Sequence, residues 1–257
     1  MNSKTILKSE SVTILIRVEN IEVWGFEHAI RGTRNPMNSW DKSDSHKCER
    51  ELTEDCDKCN KLSSDNTGEC LSDREFYCIG QKDLELMQKL FKAGTEHRKY
   101  LRQIFVSMDI TAPLYWWKEF DTYKIGTTAN SCSTMHKLTA KPFELNDFSH
   151  EHLFVNEKLE TVIRWLNDYR EIYVNWKDSS TYIDTGTKEP VDKKDVWWQM
   201  IQLLPTSYNQ RRTITMDYEN VFSIIKQRTG HKLDEWNDFV KVLKTLPYVK
   251  EIAGYEE

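Results

Sequence analysis

Hydroxyls, an amide, a thiol and an imidazole crowd into one stretch of this chain. Residues 110–137 read ITAPLYWWKEFDTYKIGTTANSCSTMHK. Large aromatics come first: Tyr115, Trp116, Trp117, Phe120 and Tyr123. Lys124 follows, and then Thr127, Thr128, Asn130, Ser131, Cys132, Ser133 and Thr134 lead to His136. Such a density of hydrogen-bonding side chains suits a polar ligand better than a packed core, because each buried polar group needs a partner. The other reading is a Ser/Thr-rich surface loop, which the aromatic flanks disfavour.

A second cluster could do metal chemistry. The chain has 6 cysteines: Cys48, Cys56, Cys59, Cys70 and Cys78 fall close together, and Cys132 stands apart. In a cytosolic protein, as we expect this one to be, such clustering favours metal over disulfides. Cys56 and Cys59 form a C-x2-C knuckle, a spacing that lets two thiolates grip one zinc ion. Cys70 and Cys78 would complete the site, with Cys48 or His46 in reserve. The surrounding segment, residues 41–80, is polar, charged and poor in large apolar residues. Zinc there would be structural, since so polar a segment cannot fold around a core of its own. Free cysteines in an insertion are the alternative. Arg31 and Arg34 flank the break at Gly32, Asn35 and Pro36. They either point together at an anion or are two solvated surface arginines.

These residues need positioning elements. Residues 13–18 (TILIRV) read as a strand, and 23–30 as a short strand followed by a helix. After Gly80, Asp83 is expected to cap a helix carrying Leu84, Met87, Leu90 and Phe91, ended by Gly94. A polar cluster follows: His97, Arg98, Lys99, Arg102 and Gln103. Ile104, Val106 and Met108 alternate with polar or outward positions, as in a strand. Ala112-Pro113 opens an aromatic helix. Adjacent tryptophans such as Trp116 and Trp117 cannot both face one core line of a helix. Residues 157–176 are amphipathic, with Leu159, Val162, Ile163, Leu166, Tyr169 and Tyr173 on one face. Residues 193–204 form a helix that ends at Pro205. Asp217 caps a helix reaching Arg228. Asp234 caps the last clear helix, with Trp236, Phe239, Val240, Leu243 and Leu246 inward.

The whole chain sets bounds. At 257 residues it can bury a sizeable core, and we read it as one α/β (α+β) domain, 1–257, with 41–80 inserted. Hydrophobic residues make 39% and aromatics 12% of it, so it is globular rather than disordered. A formal charge of −5 argues against general nucleic-acid binding but leaves room for a local basic pocket. We expect no signal peptide, no membrane span and a cytoplasmic location.

From Gln81 onward the sequence resembles the flavin-dependent thymidylate synthases (ThyX type). That family has a helix ending in glycine, a strand, an alanine-proline, an aromatic helix and then R-H-R-x-x-S-x-N-E-x-S-x-R-Y. Ala112-Pro113 matches the alanine-proline, Thr122-Tyr123-Lys124 falls on R-H-R, and Thr127 on the first serine. With one inserted residue, Asn130 to His136 falls on N-E-x-S-x-R-Y. Leu203-Leu204-Pro205 is followed by Arg228, His231 and Glu235 at near-family spacing. The departures are specific. Only Lys124 keeps a charge of R-H-R, Ser131 replaces the glutamate, Met135 replaces the later arginine, and Arg102-Gln103 replaces the glutamate-histidine that faces flavin. The chain also looks like relatives of that family carried by bacterial viruses.

The resemblance implies a central, mostly antiparallel sheet flanked by helices. It implies pyrimidine nucleotide (dUMP) binding, FAD, a folate carbon donor and a homotetramer. Arg228 would polarise the base. Lys124, Thr127, Asn130, Ser131 and Ser133, with His231, would hold the nucleotide, and His97, Arg98, Arg102 and Gln103 would face the cofactor. Three readings stay open: flavin-dependent methylation of dUMP, a flavin-free nucleotide modification on the same fold, and nucleotide binding without turnover. In the second, Cys132 could attack a pyrimidine ring carbon, with His136 lowering its pKa. The alternative for Cys132 is a small buried side chain.

Overall fold

The computed structural model of the protein describes residues 15–47, 77–177, 182–183 and 190–254. Strand β1 (Arg17–Trp24) leads through Gly25 into helix α1 (Phe26–Arg34). Strands β2 (His46–Lys47) and β3 (Tyr77–Cys78) pair antiparallel, His46 opposite Cys78. Helix α2 (Gln81–Lys92) follows, then a 3-10 turn at Lys99–Gln103, strand β4 (Phe105–Pro113) and helix α3 (Leu114–Phe120). Strand β5 (Thr127–Ser131), the short helix α4 (Thr134–Lys137) and the long helix α5 (Glu157–Val174) come next. Strands β6 (Tyr182–Ile183) and β7 (Pro190–Val191) precede helix α6 (Lys193–Leu203), strand β8 (Asn209–Asp217) and helices α7 (Tyr218–Arg228), α8 (Asp234–Lys244) and α9 (Val249–Ala253).

The main sheet has the order β1-β4-β8-β5, is antiparallel and is flanked by helices, as expected. Alternation sets its buried face: Val106, Met108, Ile110 and Ala112 of β4 are each at most 1% exposed. Among the described residues no helix is long and apolar enough to cross a membrane.

The chain divides into two compact units. One contains Ile110–Asp121 and Ser131–Arg212. Its core is α5 against α6: Leu159, Ile163 and Leu166 meet Met200, Phe143 and Phe148. Burying each such side chain contributes about 1.5–3 kcal/mol. The expected amphipathic face of α5 is therefore its packing face. Asp192 caps α6 through a capping box with Asp195.

The other unit contains Val18–Asp109, Thr122–Asn130 and Thr213–Glu257. Here α1 packs on the 3-10 turn, α2 on α9, and α7 on α8. Gly25 and Gly32 allow the first of these contacts. A Cβ on Gly25 would meet the Gln103 carbonyl oxygen at 2.1 Å, and one on Gly32 would meet Gln103 Oε1 at 2.5 Å. Gly25 also has φ +99°, which glycine adopts without strain.

Several expectations are corrected. The first strand begins at Arg17 rather than 13; Leu15 and Ile16 lie in a bend, and the residues before them fall outside the description. Asp83 does not cap α2. It is the third residue of the helix, fully buried in its first turn, and accepts from the Arg34, Ser43 and Ser45 side chains. The cap comes from far upstream: Asp44 accepts from the Lys82 and Asp83 amides. Arg34 is neither solvated nor turned to an anion from outside, because it pairs with Asp83. Asp234 is the first residue of α8, and Leu233 stands at its cap position. Helix α9 and strand β8 were not expected. Arg211 and Arg212 mask the β8 alternation, which becomes plain only at Ile214 and Met216, both 0% exposed.

The tryptophan pair agrees with its expected geometry. Trp116 and Trp117 are both 0% exposed, so α3 is buried on more than one face. Trp117 Nε1 donates to the Gln210 carbonyl at 2.9 Å, and Arg212 stacks over its ring at 4.3 Å.

Candidate functional site

Helix α7 organises the densest cluster of predicted residues. At its start, Asp217 caps the helix by accepting from the Asn220 amide at 2.9 Å. Burial pushes the Asp217 carboxyl above its ordinary range, while the Asn220 amide pulls it down. Its backbone N–H donates to the Gly126 carbonyl at 3.2 Å. Gly126 has φ +74°, and a Cβ there would lie 2.3 Å from Asp217 Oδ2. Only glycine fits this turn. Asn220 Nδ2 donates to the Ile125 carbonyl and to Thr127 Oγ1. The α7 N-terminus thereby fixes the turn that enters β5.

At the other end of α7, Arg228 meets the same segment. Its Nε donates to the Tyr123 hydroxyl at 2.9 Å, and that hydroxyl donates onward to Gln227 Oε1 at 2.9 Å. The guanidinium carbon lies 4.5 Å from the centre of the Trp236 ring and 5.5 Å from that of Tyr123. Both distances are within cation–π range. Residues 220 and 228 are separated by about 12 Å of helix rise, so α7 grips residues 123–127 along much of its length.

His231 completes this corner. The turn between α7 and α8 is tied by Asn237, which accepts from the Gly230 amide and donates to the His231 carbonyl, each at 3.0 Å. The Leu233 amide donates to His231 Nδ1 at 3.1 Å. The other ring nitrogen, Nε2, lies 3.1 Å from Arg228 Nη1, which can only donate. Both His231 nitrogens thus face N–H groups, and the Arg228 guanidinium edge abuts the imidazole.

The remaining predicted residues are placed as follows. Lys124 and Asn130 are exposed, and Thr127 is half-buried. Arg98 forms a two-point pair with Glu219, Nη2 to Oε1 at 2.7 Å and Nε to Oε2 at 3.1 Å. It also lies 4.9 Å over the Phe91 ring. His97, Arg102 and Gln103 are exposed residues, although Gln103 also packs on the α1 glycines. Cys78 is half-buried on β3. Cys48, Cys56, Cys59 and Cys70 lie outside the described residues. Among the described residues no group of three His, Cys, Asp or Glu side chains could hold a metal ion.

Ser131, Cys132, Ser133 and His136 belong to the unit built around α5 and α6. Cys132 is exposed rather than a small buried side chain. Its backbone is fixed on both sides: the amide donates to the Arg211 carbonyl at 2.9 Å, and its carbonyl accepts from Gln210 Nε2 at 2.8 Å. The Tyr208 phenol is raised, first by burial and then by the charges of Asp147 and Cys132. Ser133 Oγ accepts from the His136 amide and so caps α4. The first half of the polar run, Thr127–Ser131, is the edge strand β5; Cys132 and Ser133 lie between it and α4.

No family model matches this chain, and no curated protein matches it. Solved structures do. A flavin-dependent thymidylate synthase ThyX from Helicobacter pylori, complexed with FAD and dUMP, aligns with TM-score 0.54 and 17% identity over 90% of this chain and 94% of its own. A second Helicobacter pylori ThyX structure with FAD and dUMP gives TM-score 0.55 and 15% identity, over 93% of this chain and 95% of its own.

The fold is ThyX-like. At such identity the likeness concerns the fold and not the reaction. A ThyX-type flavin would need positive or N–H-rich surroundings for its pyrophosphate. Of the residues expected to provide them, the Arg98 guanidinium is turned to Glu219 and Gln103 packs on Gly25 and Gly32, while His97 and Arg102 are exposed. We derive no step through a flavin.

Sequence reasoning missed Tyr123 and Trp236 as members of the Arg228 cluster. Tyr123 appeared only as one aromatic of the central stretch, and Trp236 only as α8 core. Trp236 is indeed 0% exposed, yet its face also shelves Arg228. The available signal was an aromatic three residues beyond the cap of the helix that follows a candidate arginine.

Proposed function

We propose that this protein binds a pyrimidine nucleotide, with the base held at Arg228 and His231. The observation that carries this reading is a planar cation shelved on Trp236 and pinned at its Nε by Tyr123, with the His231 ring nitrogen 3.1 Å from its Nη1. The N–H fork of a guanidinium matches a carbonyl oxygen on a pyrimidine edge. The likeness to structures solved with dUMP supports the choice of ligand. Electrostatic polarisation of the base by Arg228 would be the main contribution to any chemistry at the ring.

Flavin-dependent methylation of dUMP is the second reading, favoured by the FAD in both aligned structures. It brings a folate carbon donor and a homotetramer with it. The test is titration calorimetry of the purified protein with dUMP, together with its visible spectrum before and after addition of FAD. Heat on dUMP addition, with affinity clearly weakened in Arg228→Ala, supports the nucleotide reading; no heat with the wild type overturns it. A bound-flavin spectrum would make methylation the leading activity, and a protein that ignores FAD would remove it.

A further inference from the structure

We propose that Tyr123 is the positioning residue for Arg228, and that its hydroxyl sets where the cation meets its ligand. This rests on the nucleotide reading for the identity of the ligand, but not for the interaction itself. The hydroxyl has one proton to give and lone pairs to receive with. Gln227 Oε1 takes the proton at 2.9 Å, so the oxygen turns a lone pair to Arg228 Nε, also at 2.9 Å. The direction of both bonds is thus fixed. A guanidinium presents its donors in a rigid planar fork, so pinning Nε sets the in-plane rotation of the Nη edge. The Trp236 ring fixes the plane itself from 4.5 Å away. One contact sets the plane and the other sets the rotation within it.

Tyr123 is in turn anchored from three sides. Its ring packs edge-on to Trp236, with centroids 6.1 Å apart. Gln227 holds its hydroxyl, and Asn220 holds the backbone two residues later, at Ile125. Tyr123 is only half-buried, so removing one oxygen leaves the fold intact. The same turn that feeds β5 therefore aims Arg228. A displacement of 125–127 would be felt at the nucleotide through Tyr123 rather than through a direct contact.

The experiment uses Tyr123→Phe, which keeps both ring contacts and removes only the oxygen. The first readout needs no ligand: the Arg228 Nε–H signal in a ¹⁵N spectrum. We expect it to exchange slowly with water in the wild type and at least roughly tenfold faster in Tyr123→Phe, once a protecting bond is lost. Unchanged exchange at unchanged melting temperature overturns the proposal. The second readout is dUMP affinity. Tyr123→Phe should weaken it roughly five- to tenfold, a share of what a hydrogen bond to a charged group is worth. In the Arg228→Ala background the same change should do nothing further, the signature of action through one residue. Wild-type affinity in Tyr123→Phe, or an additive loss in the double variant, overturns the proposal while leaving the nucleotide reading in place. Faster Nε–H exchange in a protein that never binds dUMP supports the positioning role and sinks the nucleotide reading alone.

Discussion

Arg34 and Arg228 each close a helix, and their surroundings handle the two charges in opposite ways. The Arg34 side chain is 8% exposed and faces a carboxylate, Asp83, that is 0% exposed, at 2.7 Å. Asp83 does not rely on the arginine alone. It also accepts from Ser43 Oγ and Ser45 Oγ at 2.7 Å, and from the Asp44 and Ser45 amides at 3.1 and 3.2 Å. A buried ion pair recovers its desolvation cost only when such extra donors surround it. Arg228 is instead half-buried and held by ring faces, a phenol and an imidazole. The first arrangement ties 43–45 to α1 and α2. The second fixes an orientation. Arg34 is locked onto a carboxylate that four other donors also hold, whereas the Arg228 plane is set by aromatic faces.

The sharpest way to break this contrast is to cut each corner and measure stability. Asp83→Ala leaves the Arg34 guanidinium buried without its carboxylate and strips five donors of their acceptor. It should cost about 3–5 kcal/mol, read as a large fall in melting temperature. Arg228→Ala should cost only about 1 kcal/mol. Equal falls would erase the distinction.

Ligand affinity should reverse the order. Arg228→Ala removes a charged donor and should weaken dUMP binding about thirtyfold, near 2 kcal/mol. Asp83→Ala, measured cold enough to stay folded, should bind dUMP as the wild type does. Titration calorimetry on both variants decides it, and a comparable loss in each would mean the two corners are not separable.

A smaller effect tests the turn that serves the second corner. Gly126→Ala forces φ +74° on a residue with a Cβ and drives that carbon to 2.3 Å from Asp217 Oδ2. We expect roughly 1–3 kcal/mol of lost stability, together with weaker dUMP binding through the displaced Tyr123. A stable variant with normal affinity would show that the turn does not aim the site.

Local signals in the sequence were legible, and distant ones were not. Asp217 was readable as a cap because it stands directly before an apolar-periodic run, and its side chain does take the Asn220 amide. The α5 face was readable for the same reason, its period being that of a helix. Asp83 looked like another cap, yet its partners Arg34, Ser43 and Ser45 lie 49, 40 and 38 residues away. No local pattern encodes such a hub. Strand β8 hid behind consecutive arginines, one of which covers the face of Trp117 rather than facing water. Arg228 could be singled out by resemblance, but the 105-residue link to Tyr123 could not.

The mildest perturbation, a change of pH, should separate the corners by sign. Burial pushes Asp83 up, but the hydrogen bonds from Ser45, Ser43 and Arg34 together outweigh it, and the carboxyl ends below its ordinary value of 3.8. Its folded state binds the proton less tightly than the unfolded chain. The stability it contributes is therefore present above pH 3.8 and is lost as pH falls through the folded pKa. Asp217 is shifted the other way, above 3.8, chiefly by burial. Its folded state binds the proton more tightly, so its contribution improves as pH falls through the raised pKa toward 3.8 and worsens as pH rises. Thermal melts of the wild type, Asp83→Asn and Asp217→Asn between neutral and acid pH should show it. On acidification the advantage of wild type over Asp83→Asn should shrink, and its balance against Asp217→Asn should shift in favour of the wild type. If both differences moved in the same direction, the two carboxylates would share one environment. The division between a clasp that needs its charge and a cap that carries its charge at a cost would then fail.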